Sequence, residues 1–161
     1  MSTESMDMTI DTLTGELIHA DTLMTKYLTF IADNLLFGVN ASYVVEIIIN
    51  HALTSLPMTP DYVKGIINLR GQIIPIIDIR LRIGHPAAEA DDSTVCIIVL
   101  DIDGTQIGIL VDRVAQMVDI DETQLSTSPV SDQQLVSGMI SLADGSDTML
   151  ALDCARMINE A

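Results

Sequence analysis

The chain of 161 residues has no tryptophan, three tyrosines and two phenylalanines, and it carries seven lysines and arginines against 23 aspartates and glutamates. So few aromatics leave almost no platform on which the bases of a single strand stack. The net charge of −16 repels phosphate backbones and anionic lipid. No nucleic-acid partner and no direct membrane contact are expected. Cys96 and Cys154 each stand singly among aliphatics, without a Cys-x-x-Cys pair, and read as reduced, buried thiols. His19, His51 and His85 are scattered over a tail, a strand end and a linker, which excludes a metal trio by any usual spacing. No apolar run is long enough to span a bilayer, since the nearest, Val95 to Val111, is interrupted by Asp101 and Asp103. The acidic N-terminus also lacks the basic start and apolar stretch of a secretory signal. A cytoplasmic protein is expected.

Signs of catalysis are equally sparse. No glycine cluster forms a phosphate-cradling loop, and no serine or cysteine sits in a nucleophile elbow. "DIDG" and "DGSD" lack the alternating oxygen ligands of a calcium loop and read as hairpin turns. Asp78 and Asp153 read as caps at strand ends in preference to an acid–base pair. Of nine methionines, four lie in the first 24 residues and the rest are dispersed, which suits core filler. Neither an enzyme nor a bound cofactor is indicated.

What is present is a hydrophobic content of 48%, ample for a core. Residues 1–22 are acidic and without period, a mobile tail or weak helix. "YLTFIA" and "LLFGVN" form a hairpin about Asp33-Asn34. "ASYVVEIII" follows Asn40, a good N-cap, and places Val44, Ile47 and Ile48 at helical spacing; a short helix feeding a strand is predicted. "KGIINLR" and "QIIPIIDI" flank Arg70-Gly71 as two more strands, and Pro75 moves the second to an edge or an end.

The chain then repeats itself. "YLTFIADNLLFGVNASYVVEII" aligns without gaps on "IIVLDIDGTQIGILVDRVAQMV", and the match continues through Gly65 with Gly138 and Asp78 with Asp153. Each copy supplies about five short strands, enough to curl into a small barrel. The expected layout is an acidic tail (1–22), a first barrel ending in the acidic linker "GHPAAEADDS" (23–93), and a second barrel with a C-terminal helix (94–161). Units of this size are marginal alone, so the barrels should pack together.

The duplication separates fold from function. Positions alike in both copies, such as Gly38/Gly108 and Gly65/Gly138, serve the unit; positions that differ are candidates for function. Glu46 faces Gln116, Arg70 faces Ala143, and Arg80 faces Ala155. Arg70 stands at a strand-to-strand turn with a glycine behind it, where a guanidinium can grip a partner's carboxylate. The competing reading is an internal ion pair with Glu46 or Asp78.

Taken together, "VVEI", "KGIINLRGQIIPIIDIR" and "GILVDRV" resemble the CheW family of chemotaxis adaptors, over roughly Tyr27 to Ile158. The resemblance implies two SH3-like five-stranded β-barrels and a non-enzymatic scaffold without cofactor. Its implied partners are the cytoplasmic helical tip of a chemoreceptor and the regulatory domain of the histidine kinase CheA, in arrays near the inner membrane. Relatives that add a receiver domain, or phosphotransfer and ATP-binding domains, need more than the 161 residues present, so a stand-alone adaptor is expected. Carried over to this chain, the resemblance assigns partner contacts to Val44, Glu46, Gly65, Arg70 and Val111. A related pilus-motility pathway and a small-ligand module in the groove between barrels are the alternatives.

Overall fold

Three two-residue turns set the strand plan. Asp33-Asn34, Arg70-Gly71 and Asp103-Gly104 hold both residues at positive φ, between 51° and 90°, the backbone whose twist matches a tight hairpin. Two of them are braced alike: Gly71 N donates to Asn68 Oδ1 and Gly104 N to Asp101 Oδ1, each at 2.9 Å.

The computed structural model describes residues 9–10, 17–18, 24–83, 96–126, 135–142 and 147–159. Near the N-terminus β1 (Thr9–Ile10) pairs with β2 (Leu17–Ile18) as a small antiparallel ribbon; the rest of the expected tail, the linker 84–93 and the first four residues of the "ADGSD" turn, 143–146, lie outside the described residues. The first copy contributes β3 (Met24–Ala32), β4 (Leu35–Asn40), β5 (Val44–Ile49), β6 (Val63–Leu69), β7 (Gln72–Asp78) and the short helix α1 (Ile79–Arg82). The second contributes β8 (Cys96–Ile102), β9 (Thr105–Val111), β10 (Arg113–Asp121), β11 (Val136–Ser141), β12 (Thr148–Leu152) and α2 (Cys154–Asn159). Asp78 accepts from Arg80 N and Asp153 from Arg156 N, so both act as helix caps, as the repeat suggests.

The chain is mostly β, in two five-stranded sheets, but the sheets do not follow the two copies. Their orders are β10-β3-β4-β12-β11 and β5-β8-β9-β7-β6. Each takes the first two strands of one copy and the last three of the other. The boundary expected at residue 93 therefore does not divide one barrel from the next. In the second copy chain reach enforces this: Asp112 alone links β9 to β10, a span of at most about 7 Å. Returning to the far side of β8 would mean crossing two strand spacings, about 9.6 Å. The third strand goes instead to the neighbouring sheet.

Each sheet curls until its ends meet. Thr54 and Ile66 exchange two backbone hydrogen bonds, as do Ser126 and Met139 at the matched place in the other sheet. Register shifts at Val63/Gly65 and Val136/Gly138, and again at Val44/Glu46 and Val114/Met117, mark bulges that bend the strands. Two local expectations change. A three-residue 3-10 turn, Ala41–Tyr43, replaces the helix after Asn40, and Val44–Ile49 is strand throughout with period-two burial. β7 is interior to its sheet; Pro75 precedes the only three residues that pair with β9, Ile76–Asp78.

Burial falls into three layers. Ile67, Ile74, Ile76, Ile97 and Val99 fill one barrel, and Tyr27, Ile120, Met149 and Ala151 fill the other. A larger layer between the sheets holds Phe30, Phe37, Ile98, Leu100 and Ile109 among others. β8 feeds both a barrel and that layer, which is why it reads as unbroken aliphatic sequence.

Candidate functional site

On β5 side chains alternate, and the face that would be expected to enter the central layer emerges from it instead. Ile47 pairs with Ile98 and Ile49 with Cys96, and directly opposite residues of an antiparallel pair share a face. Ile98 and Cys96 are buried between the sheets. Ile47 and Ile49 prolong that apolar surface outward and are 41% and 57% exposed, with Val45 beside them at 45%. The matched positions on β10 are Ala115, Met117 and Asp119; Met117 pairs with Leu28, while Asp119 accepts a hydrogen bond from Lys26 Nζ at 3.1 Å. One margin of the central layer is thus an aliphatic row, and its counterpart ends in an ion pair.

Beside the aliphatic row stands the charged pair anticipated from the sequence. Arg70 Nη2 donates to Glu46 Oε1, joining the β6–β7 turn to β5 across the seam of the barrel. That hydrogen bond and the adjacent carboxylate raise the Arg70 pKa further. Arg70 remains 68% exposed and Glu46 31% exposed at the side chain, so both keep faces for a partner. Arg70 also holds φ at +53°, a conformation disfavoured for a side chain without the local hydrogen bonding of Asn or Asp.

The other expected contacts fall elsewhere. Val44 is half-buried and packs on the central layer. Val111 is 4% exposed because its side chain packs into that layer, and so it presents almost no surface to a partner. Gly65 is buried; a Cβ on it would strike the carbonyl of Thr54, the residue that closes the barrel. Its equivalent, Gly138, would place a Cβ 2.9 Å from Ser126 O. Both glycines serve barrel closure. Arg80 is internal too: Nε and Nη2 donate to the buried Asp78, and Nη1 donates to Asp112 Oδ1 at 3.1 Å. Arg82 lies over the Tyr62 ring, 5.1 Å from its centre. The cluster of basic residues in this apolar stretch thereby resolves into two structural arginines and one exposed one, with Lys64 half-buried on β6.

A profile of the CheW-like domain matches residues 26–161. The chain belongs to the CheW-like family. It is 34% identical over 121 residues to the chemotaxis protein CheW of Klebsiella aerogenes, covering 75% of this chain and 69% of that one. With the chemotaxis protein CheW of Rhizobium meliloti it shares 38% over 93 residues, 58% of this chain and 59% of the relative. Among solved structures, the scaffolding protein TtCheW from Thermoanaerobacter tengcongensis superposes with a TM-score of 0.72 at 30% identity, covering 81% of this chain and 89% of that one.

Within this CheW-like frame the described residues contain no group of three His, Cys, Asp or Glu side chains placed to hold a metal, and no described helix is long and apolar enough to cross a membrane. Cys96 and Cys154 are buried free thiols; burial raises both pKa values, that of Cys154 to about 12. The methionines are not all filler: Met149 and Met157 are buried, whereas Met24, Met58 and Met117 are exposed. The residues missed from sequence are Val45, Ile47 and Ile49. Their signal was in the copy comparison, where Val45, Ile47 and Ile49 stand against Ala115, Met117 and Asp119, but a helical reading of the segment put Ile47 on the wrong face.

Proposed function

We propose that this chain is a non-enzymatic chemotaxis adaptor that couples the cytoplasmic helical tip of a chemoreceptor to the regulatory domain of the histidine kinase CheA, in cytoplasmic arrays beside the inner membrane. The observation that carries the reading is the uneven face on β5: the exposed Val45, Ile47 and Ile49 beside the Glu46–Arg70 pair, where β10 sets Ala115, an exposed Met117 and the ion-paired Asp119. An amphipathic helix laid along that row would bury its apolar stripe and meet directed donors at the rim. Arg70 is the expected hot spot, since an exposed planar guanidinium in a fixed turn can bind a carboxylate bidentately. Val44 supports the row from beneath, and Gly65 acts on coupling through barrel closure. The test is reconstitution with a CheA-type kinase and a receptor fragment: added protein should stimulate autophosphorylation severalfold. No stimulation at saturating protein would count against the adaptor role.

A further inference from the structure

Asn68 stands two residues before Arg70, exposed on β6. Its Oδ1 accepts from Gly71 N at 2.9 Å, so the side chain folds over the turn that carries Arg70. Arg70 needs that support. In the other two tight hairpins the residue at the same place in the turn is Asp33 or Asp103, whose short polar side chains tolerate positive φ through a local hydrogen bond that arginine lacks. The seam offers little help, because β5 and β6 are the two ends of their sheet and their described backbone join is Thr54 with Ile66. Arg70 lies four residues past that join, about 13 Å along the strand. At this end Arg70 and Glu46 meet through their side chains, and the turn sets where the guanidinium starts. In the second copy Ser141 and Ala143 stand where the first has Asn68 and Arg70. The brace and the arginine it serves are absent together.

We propose that Asn68 is a positioning residue: its amide oxygen fixes the turn so that Arg70 points across the seam, paired with Glu46 and presented to a partner. The effect on coupling rests on the adaptor reading, whereas the effect on Arg70 does not. The test compares Asn68→Ala, which removes the acceptor, with Asn68→Asp, which keeps it as Asp101 does in the β8–β9 turn. In the full-length, isotope-labelled chain the hydrogen-bonded Arg70 guanidinium should show slowed Nη rotation by nuclear magnetic resonance. Asn68→Ala should lose that signature and shift the Gly71 amide in a chain that still melts cooperatively, and Asn68→Asp should restore both. Kinase stimulation should fall about fivefold in Asn68→Ala, the loss that marks an energetically important interface residue, and return in Asn68→Asp. The proposal is overturned if Asn68→Ala keeps the slow Arg70 rotation or full stimulation, or if Asn68→Asp behaves like Asn68→Ala. Absence of stimulation by the parent chain would remove the adaptor reading and leave the Arg70 signature to decide the role of Asn68.

Discussion

Arg70 occupies a backbone conformation that asparagine or aspartate would hold with less strain, and it spends its guanidinium on an exposed pair. Exposed pairs contribute little to folding, so Arg70→Asn should leave Tm unchanged or raise it by about 2–4 °C, while kinase coupling falls at least tenfold. Thermal denaturation beside the coupling assay checks both; a Tm drop matching the lost coupling would make the arginine structural. Buried acids of raised pKa govern the alkaline limb of stability, Cys96 among them. Burial lifts the Cys154 thiol from 9.0 to about 12, and Tyr27 is raised chiefly by burial and also by donating its hydroxyl proton to Glu122 Oε2 at 2.6 Å. A raised folded pKa means stability that is full below the unfolded value and lost as pH rises through the folded one. Urea midpoints should therefore fall steadily above pH 9. Cys154→Ala should lose about 1–2 kcal/mol near neutrality through its small cavity yet show a shallower alkaline decline than the parent chain.

Among elements, the closing bridges explain why matched glycines recur in the two copies. Gly65→Ala drives a methyl into the Thr54 backbone, which cannot yield as a flexible side chain can; a loss above about 2 kcal/mol by urea denaturation is expected, with a smaller one for Gly138→Ala. Coupling lost by Gly65→Ala at full stability would restore a direct contact there. Strands and hairpins were legible in the sequence because their signals are local: Asp33-Asn34, Arg70-Gly71 and Asp103-Gly104 announce turns by residue type. Pairing was not. The third strands of the two copies, "VVEIII" and "VAQMVD", carry no local mark of the sheet they join, and the one-residue connection at Asp112 constrains only the second of them. The Glu46 and Arg70 part of the site was legible from charge mismatch between copies. The aliphatic row was hidden by a run in which helical and strand periods both find apolar residues.

At the scale of the molecule, exchange of strands between copies makes the two barrels one folding unit. Neither half of the chain owns a complete sheet. Residues 23–93 and 94–161 expressed separately should each lack native circular dichroism, and mixing them should restore it with a sharp thermal transition; an independently folded half would contradict the interleaving. The pseudo-symmetry also supplies the control for function, because every β5 substitution has a β10 counterpart in a similar backbone setting. The most direct measurement is receptor-dependent kinase autophosphorylation with Ile47→Asp and Met117→Asp compared at equal folded protein. Ile47→Asp should abolish stimulation while Met117→Asp retains most of it. Equal activity of the two variants, or loss in Met117→Asp alone, would contradict a docking face confined to β5.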